Sequence, residues 1–395
     1  MIKASVSQKE VNIAEVKLRI ILTGGGSGGH IYPLISVFRS IKKMAGSRLM
    51  SVDAAYFGPD GFGEDTFKEE GIKMVKIQSG KLRRYFSILN FFDVFKLIFG
   101  FFQSLYQIWK FMPDLIFSKG GFGSIPVVVV GRLYRIPIFI HESDTVPGLS
   151  NRFAAKFAKR IAVSFDKAFD YFPKDKTALT GNPIRTELIF NQNKELARKN
   201  LGFNQERPLL LVLGGSQGAQ SINELILESL EGLMANGVQI LHQTGKANFR
   251  QVAAEAKIIL ESIPGADLKF YQAKDFLNEK EYAQALAACD LVVARAGSGT
   301  IFEISAAKKP SILIPLPESA GDHQKVNAYE YAKVGAAQVL EEANILPNLF
   351  VEQVANLLSQ PEKLNDLGNR ANLFFQQDAP DKIAKEIFDY LKIPV

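Results

Sequence analysis

Four times in this chain an apolar run stops in a cluster of glycines that leads into a helical pattern. Residues 18–22 run into Thr23-Gly24-Gly25-Gly26-Ser27-Gly28-Gly29-His30, and residues 114–117 into Lys119-Gly120-Gly121-Phe122-Gly123-Ser124. In the second half, residues 209–213 run into Gly214-Gly215-Ser216-Gln217-Gly218, and residues 290–294 into Arg295-Ala296-Gly297-Ser298-Gly299-Thr300. Strand, glycine turn and helix in succession predict parallel sheets flanked by helices, with ligands at the carboxyl ends of the strands. Backbone N–H groups at such turns converge on an anion, helped by the helix dipole. After the first loop, the helix is expected from Tyr32.

A length of 395 residues suits two domains of about 180 each. The turn cluster Thr180-Gly181-Asn182-Pro183-Ile184-Arg185 reads as the linker between them. The expected class is therefore α/β, with two Rossmann-like parallel-sheet domains facing a cleft. Hydrophobic residues at 47% and charged residues at 22% exclude global disorder. The single cysteine, Cys289, excludes a disulfide scaffold and reads as core filler in a reducing compartment. Residues 1–16 form an N-terminal extension without the continuous apolar core of a secretory signal, so the protein is expected to stay inside the cell. The longest uncharged apolar stretch, residues 97–109, is shorter than the roughly 20 residues of a spanning helix. A net charge of +6 allows an anionic substrate, a membrane surface or nucleic acid and selects none of them.

Gly24, Gly26 and Gly29 match the dinucleotide pattern G-x-G-x-x-G, but that fingerprint needs an acid at the end of the second strand. Here residues 52–57 end in Gly58-Pro59, and Asp53 lies at the strand's start. His30 adds a proton carrier that a phosphate cradle does not need, which points to chemistry beside the phosphate. All four histidines, His30, His141, His242 and His323, fall in or beside turn segments and direct attention to the strand ends. They form no metal set, and no two aspartates stand two apart as a metal clamp requires. Glu303, early in the helix expected near Ser298, either stabilises a helix N-terminus or accepts two hydrogen bonds from ribose hydroxyls. Gln324 can present an amide to sugar hydroxyls, while the Ser216 hydroxyl and the Arg185 guanidinium suit a diphosphate. These residues together read as metal-free recognition of a nucleotide sugar.

From Lys81 to Met112 the chain changes character. Lys81, Arg83 and Arg84 lead into eleven aromatic residues, with polar residues recurring at helical spacing. One reading is a helix, or two, packed on a sheet. Another is an apolar surface flanked by basic residues that dips into a membrane. The two are compatible.

Six motifs, in order, resemble the MurG family of peptidoglycan glycosyltransferases, which move N-acetylglucosamine (GlcNAc) from UDP-GlcNAc to lipid I to give lipid II. They are the first loop with His30, the Gly120-Gly121 loop, His141-Glu142 with Pro147-Gly148-Leu149, residues 181–185, residues 214–218, and the stretch from Gly297 to Gln324. The similarity runs from about Lys17 to the terminal helix. It implies the GT-B architecture, with an acceptor- and membrane-binding domain over residues 17–184, joined by a returning helix in residues 377–395. Residues 185–376 would form the UDP-GlcNAc domain.

The resemblance also assigns roles. Ser27, Gly28, Gly29, Gly120 and Gly121 would hold the lipid diphosphate, and His30 would be the general base. Arg185, Ser216, Ser298, Gly299, Thr300, Ile301, Phe302, Glu303 and Gln324 would contact UDP-GlcNAc, with Leu277 touching uracil through its backbone. Many members carry Gln-Asn after His-Glu; this chain has Ser143-Asp144, and Asp144 can accept a hydrogen bond from the sugar but not donate one when ionised. The implied partners are UDP-GlcNAc, lipid I, the cytoplasmic face of the cell membrane and other cell-wall synthesis proteins. No cofactor, metal or nucleic acid is implied. Cell-wall biogenesis, cell shape and cell division are the processes served. A UDP-GlcNAc epimerase, a dinucleotide oxidoreductase and a non-catalytic membrane-surface binder are the competing readings.

Overall fold

The computed structural model describes residues 17–60, 63–80, 88–185, 193–215, 218–265 and 267–393. Two parallel sheets organise them. The first has seven strands in the order β3-β2-β1-β4-β5-β6-β7: β1 Lys17–Thr23, β2 Ser51–Gly58, β3 Lys73–Lys76, β4 Leu115–Ser118, β5 Ile138–Glu142, β6 Arg160–Val163 and β7 Thr177–Leu179. The second has six in the order β10-β9-β8-β11-β12-β13: β8 Leu209–Leu213, β9 Gln239–Gln243, β10 Tyr271–Lys274, β11 Leu291–Ala294, β12 Ser311–Leu313 and β13 Ala337–Val339. Their central strands, such as Leu209–Leu213, are buried along their whole length, as unbroken apolar runs covered on both faces must be.

Strand order reverses between β1 and β4 in the first sheet and between β8 and β11 in the second. A crevice opens at each such switch point because the chain leaves the two central strands in opposite directions. The four glycine loops follow these four strands. Their place in the sequence therefore marks the two switch points, while the other strands among the described residues extend each sheet beyond two units.

Each sheet carries helices on both faces and a core on each side. In the first domain, Ile20, Leu22 and Ile31 pack on one side and Ile21, Phe57 and Ile140 on the other. The terminal helix Ala379–Tyr390 buries Ile383, Ala384, Ile387 and Phe388 in the first of these cores, against the helix Gly28–Gly46. Cys289 is fully buried just before β11, filling core space beside Leu286.

Candidate active site

The first glycine loop ends sooner than its sequence suggests. The helix begins at Gly28 rather than near Tyr32, because Ser27 is extended (φ −123°) and its carbonyl accepts from His30 N at 2.9 Å and Ile31 N at 3.1 Å. His30 thus stands in the helix's first turn, just past Gly28 and Gly29, whose N–H groups precede the first intrahelical bonds. Its Nδ1 lies 2.8 Å from Ser27 Oγ. The ring covers Gly25 and abuts Gly121: a Cβ on Gly25 would lie 3.0 Å from Nδ1, and one on Gly121 would lie 3.3 Å from Nε2. Gly121, at φ +82°, also approaches the Gly25 backbone so closely that an added Cβ would lie 2.8 Å from its nitrogen. Only glycine lets the two loops meet this way.

Burial, with the Lys119 ammonium adding to it and Asp144 opposing it, pushes the His30 imidazole down to about 4. It is a neutral base at physiological pH.

Across from it lies a cleft of ≈ 270 Å³ to which both domains contribute. Gly28, Gly29, His30 and Asp144 line one side; Arg185, Leu277, Ser298, Gly299, Thr300 and Glu303 line the other. The helix Ser298–Ala306 follows the extended Gly297, so two helix N-termini, one from each domain, open onto a single space. Their free N–H groups and positive dipole ends suit an anion.

Arg185 and Glu303 meet inside the cleft. Arg185 Nε and Nη2 donate to Glu303 Oε1 at 3.0 and 2.7 Å, and the guanidinium lies between the rings of Tyr32 and Tyr282, 4.1 and 4.7 Å from their centroids. Burial works against the guanidinium's charge, but Glu303 more than offsets it and holds the group firmly protonated. Burial first, and Glu303 second, push the Tyr282 phenol well up, so it stays a hydrogen-bond donor. Tyr32 and Tyr282 were not legible as site residues. Each sits in an ordinary helical pattern, and only the fold brings it to Arg185.

Some expected contacts take other forms. Ile301 and Phe302 are buried in the core, Phe302 against Phe165 from the first domain, so their side chains face away from the cleft. Gln324 Oε1 accepts from Leu316 N at 3.0 Å; it braces a loop while the neighbouring His323 lines the cleft. Leu277 lines the cleft, its N–H donating to Gln243 Oε1 at 3.4 Å, and Gln243 Nε2 donates to Gly215 O at 2.9 Å. Gln243, which carries no sequence signal, therefore ties the third glycine loop to Leu277. Ser216 lies outside the described residues.

Asp144 reaches the second domain. Its Oδ1 accepts from Asn327 Nδ2 at 2.8 Å, while Asn327 Oδ1 accepts from both N and Oγ1 of Thr145 at 2.9 Å. Asn327 is fully buried. His141 and His242 are not at the working surface; they lie inside β5 and β9, bonded to Gly181 O and to Tyr271 and Asn223 respectively. Among the described residues no cluster of His, Cys, Asp and Glu could hold a metal ion.

Family models agree with this arrangement. The glycosyltransferase family 28 N-terminal domain matches residues 20–163, and the family 28 C-terminal domain matches residues 209–383. A UDP-N-acetylglucosamine–N-acetylmuramyl-(pentapeptide) pyrophosphoryl-undecaprenol N-acetylglucosamine transferase of Clostridium tetani is 38% identical over 88% of this chain and 92% of its own length. The chain belongs to the MurG family of glycosyltransferases.

A Clostridium botulinum member is 36% identical over 95% of this chain and 98% of its own length. Among solved structures, MurG of Acinetobacter baumannii shares the fold at TM-score 0.69 and 23% identity, over 94% of this chain and 99% of that one. A Neisseria meningitidis UDP-GlcNAc 2-epimerase bound to UDP-GlcNAc shares it at TM-score 0.66 and 12% identity, over 95% and 100%. The chain shares its fold with both, so architecture alone does not separate transferase from epimerase. MurG family membership does.

Proposed function

We propose that this protein moves N-acetylglucosamine from UDP-GlcNAc to the 4-hydroxyl of the N-acetylmuramoyl group of lipid I, with inversion at the anomeric carbon, giving lipid II. The observation that carries the reading is one cleft in which a neutral imidazole, standing on one helix N-terminus, faces a second helix N-terminus and a buried Arg185–Glu303 pair. Residues 17–184 with the terminal segment 377–395 form the acceptor half, and residues 185–376 the donor half.

In this mechanism His30 takes the proton of the attacking hydroxyl through Nε2, while Ser27 Oγ holds Nδ1 and with it the ring's orientation. The C–O bond to GlcNAc forms as the bond to UDP breaks. Negative charge then grows on the diphosphate, where the first-turn N–H groups of Ser298, Gly299 and Thr300 and the Arg185 guanidinium oppose it. Ser216 joins them. Glu303 accepts from the ribose and Leu277 borders the uracil, while Gly28, Gly29, Gly120 and Gly121 receive the acceptor's diphosphate.

The acceptor is lipid-borne, and the first domain presents a surface for it. The helix Ile88–Phe111 turns Asp93, Ser104 and Ile108 inward and leaves Phe95, Phe99, Phe102 and Trp109 between 54% and 65% exposed. Its exposed face is the aromatic one, and part of its polar set is used inside: Asp93 pairs with Lys96 and Gln103 Oε1 accepts from Gln78 N. The basic cluster Lys81, Arg83 and Arg84 lies outside the described residues. Among the described residues no helix is long and apolar enough to cross a membrane. This aromatic face rests on the cytoplasmic surface of the cell membrane, and the helix Ile125–Leu133, which leaves the second glycine loop, packs against the buried side of Ile88–Phe111.

Labelled GlcNAc supplied as UDP-GlcNAc should pass to a lipid I analogue and stay on the nucleotide without it. Epimerised UDP-sugar formed without acceptor would overturn the proposal.

A further inference from the structure

One charged side chain beside His30 is unused by the mechanism above. Lys119, the residue before the second glycine pair, is only 3% exposed. Its backbone N–H donates to Thr23 O at 2.8 Å, which joins the start of the second glycine loop to the end of β1. Its Nζ donates to Ser143 Oγ at 2.6 Å, and Ser143 and Asp144 both line the cleft. A Cβ added to Gly24 would touch the Cβ atoms of both Lys119 and His30, at 3.4 and 3.5 Å. The ammonium is thus enclosed between the proposed base and the loop that crosses to the second domain.

We propose that Lys119 is a positioning residue for the transfer reaction: its ammonium, enclosed beside His30, holds Ser143 and Asp144 against the acceptor side of the cleft. The proposal rests on His30 being the base. Being enclosed, Lys119 cannot bind the acceptor's diphosphate itself; it acts through its neighbours.

The charged and titratable groups facing the ammonium are His30 from the first helix, His141 and Glu142 from β5, and Asp144 from the following loop. Glu142 is committed elsewhere, accepting from Asp144 N at 3.0 Å, Gly148 N at 3.2 Å and Asn151 Nδ2 at 2.9 Å. It shapes the same loop from below. Burial lowers the Lys119 ammonium to about 8, against the pull of Glu142 and Asp144, so it remains largely charged at neutral pH. A positive neighbour disfavours the imidazolium and Asp144 favours it. Removing the lysine charge leaves Asp144 unopposed, and the His30 pKa rises.

The test is the pH profile of kcat/KM for transfer to a lipid I analogue in Lys119→Met, Lys119→Arg and Ser143→Ala. Lys119→Met should move the acid limb upward by about one pH unit, with UDP affinity by titration unchanged. Lys119→Arg should return the limb to its wild-type position and remove an alkaline limb near pH 8. Ser143→Ala keeps the charge, so it should lower kcat without moving the acid limb. If Lys119→Met fails to fold by melting and UDP titration, the other two variants still decide the matter through the alkaline limb and the unmoved acid limb. An equal loss at every pH in Lys119→Met, or a Lys119→Arg profile that keeps its alkaline limb, overturns the proposal. An acid limb that persists in His30→Ala instead overturns the assignment of His30 as base.

Discussion

Arg185 aims two of its nitrogens, Nε and Nη2, at one oxygen of Glu303, and each side chain is only 10% exposed. Read separately in the sequence, the guanidinium suited a diphosphate and the carboxylate a ribose. The fold makes them partners within the donor half of the cleft. Glu303 keeps the buried guanidinium charged, and a bound nucleotide must share this pair with Tyr282.

Replacing Glu303 by Ala removes the carboxylate proposed for the ribose and leaves a buried guanidinium without its partner. UDP-GlcNAc affinity should fall by about 10- to 100-fold, the worth of a hydrogen bond to a charged group. Isothermal titration checks it, and unchanged affinity removes Glu303 from ribose binding. Thermal stability should fall too, and Glu303→Gln with Arg185→Met together should cost less than the two single changes summed.

His30→Ala should lower turnover by about 10²- to 10⁴-fold with UDP affinity nearly intact. Because burial and Lys119 hold the imidazole at about 4, the wild-type acid limb should lie well below the ordinary histidine value of 6.5. Steady-state kinetics from pH 4.5 to 7.5 measures both effects.

Buried His242 makes stability depend on pH. Burial lowers its pKa from 6.5 to about 3, with Tyr271 and Asn223 occupying its two nitrogens. Above pH 6.5 the ring is neutral in both folded and unfolded chains and contributes no dependence. As pH falls below 6.5 toward 3, the unfolded chain gains a proton that the native state refuses, so stability drops by about 1.4 kcal/mol per pH unit. Urea unfolding of wild type and His242→Gln at pH 7 and pH 5 should differ by that slope.

Asn327 links the two halves through Asp144 and Thr145. Asn327→Ala should loosen the closed arrangement and leave the Thr145 N–H buried without an acceptor, at about 1 to 3 kcal/mol. Thermal melting reads the stability loss. Small-angle scattering should detect a more open pair of domains, and an unchanged profile argues against a latch.

Phe99, Phe102 and Trp109 are exposed, so changing all three to Ser should leave the melting temperature within a few degrees. Cosedimentation with anionic vesicles should fall severalfold. Equal binding would dismiss the aromatic face as the membrane contact.

Much of this was legible before any folding. Local pattern determined that apolar runs become buried parallel strands and that glycine turns end them, since period and backbone freedom are properties of neighbouring residues. The motifs likewise carried His30, Glu303 and Arg185 into the site by type and order. Helix starts were less secure: the first helix begins inside the glycine cluster, where the extended Ser27 accepts from His30 N and Ile31 N through its carbonyl, a conformation that glycine-rich composition does not announce. The aromatic segment kept its helical period but not its orientation. Which side turns inward depends on Gly80 and Gln78 meeting it from another strand's exit.

Only the tertiary structure decided what was paired with what. Arg185 and Glu303 are 118 positions apart, Asp144 and Asn327 183 apart, and Lys119 and Ser143 24 apart. Electrostatic and hydrogen-bond partnership falls off within a few ångströms, so it is set by which strands lie beside one another and how the two domains close. The sequence determined the groups available to the cleft; the fold determined which of them are already occupied, which stay neutral, and which face the space where a substrate fits.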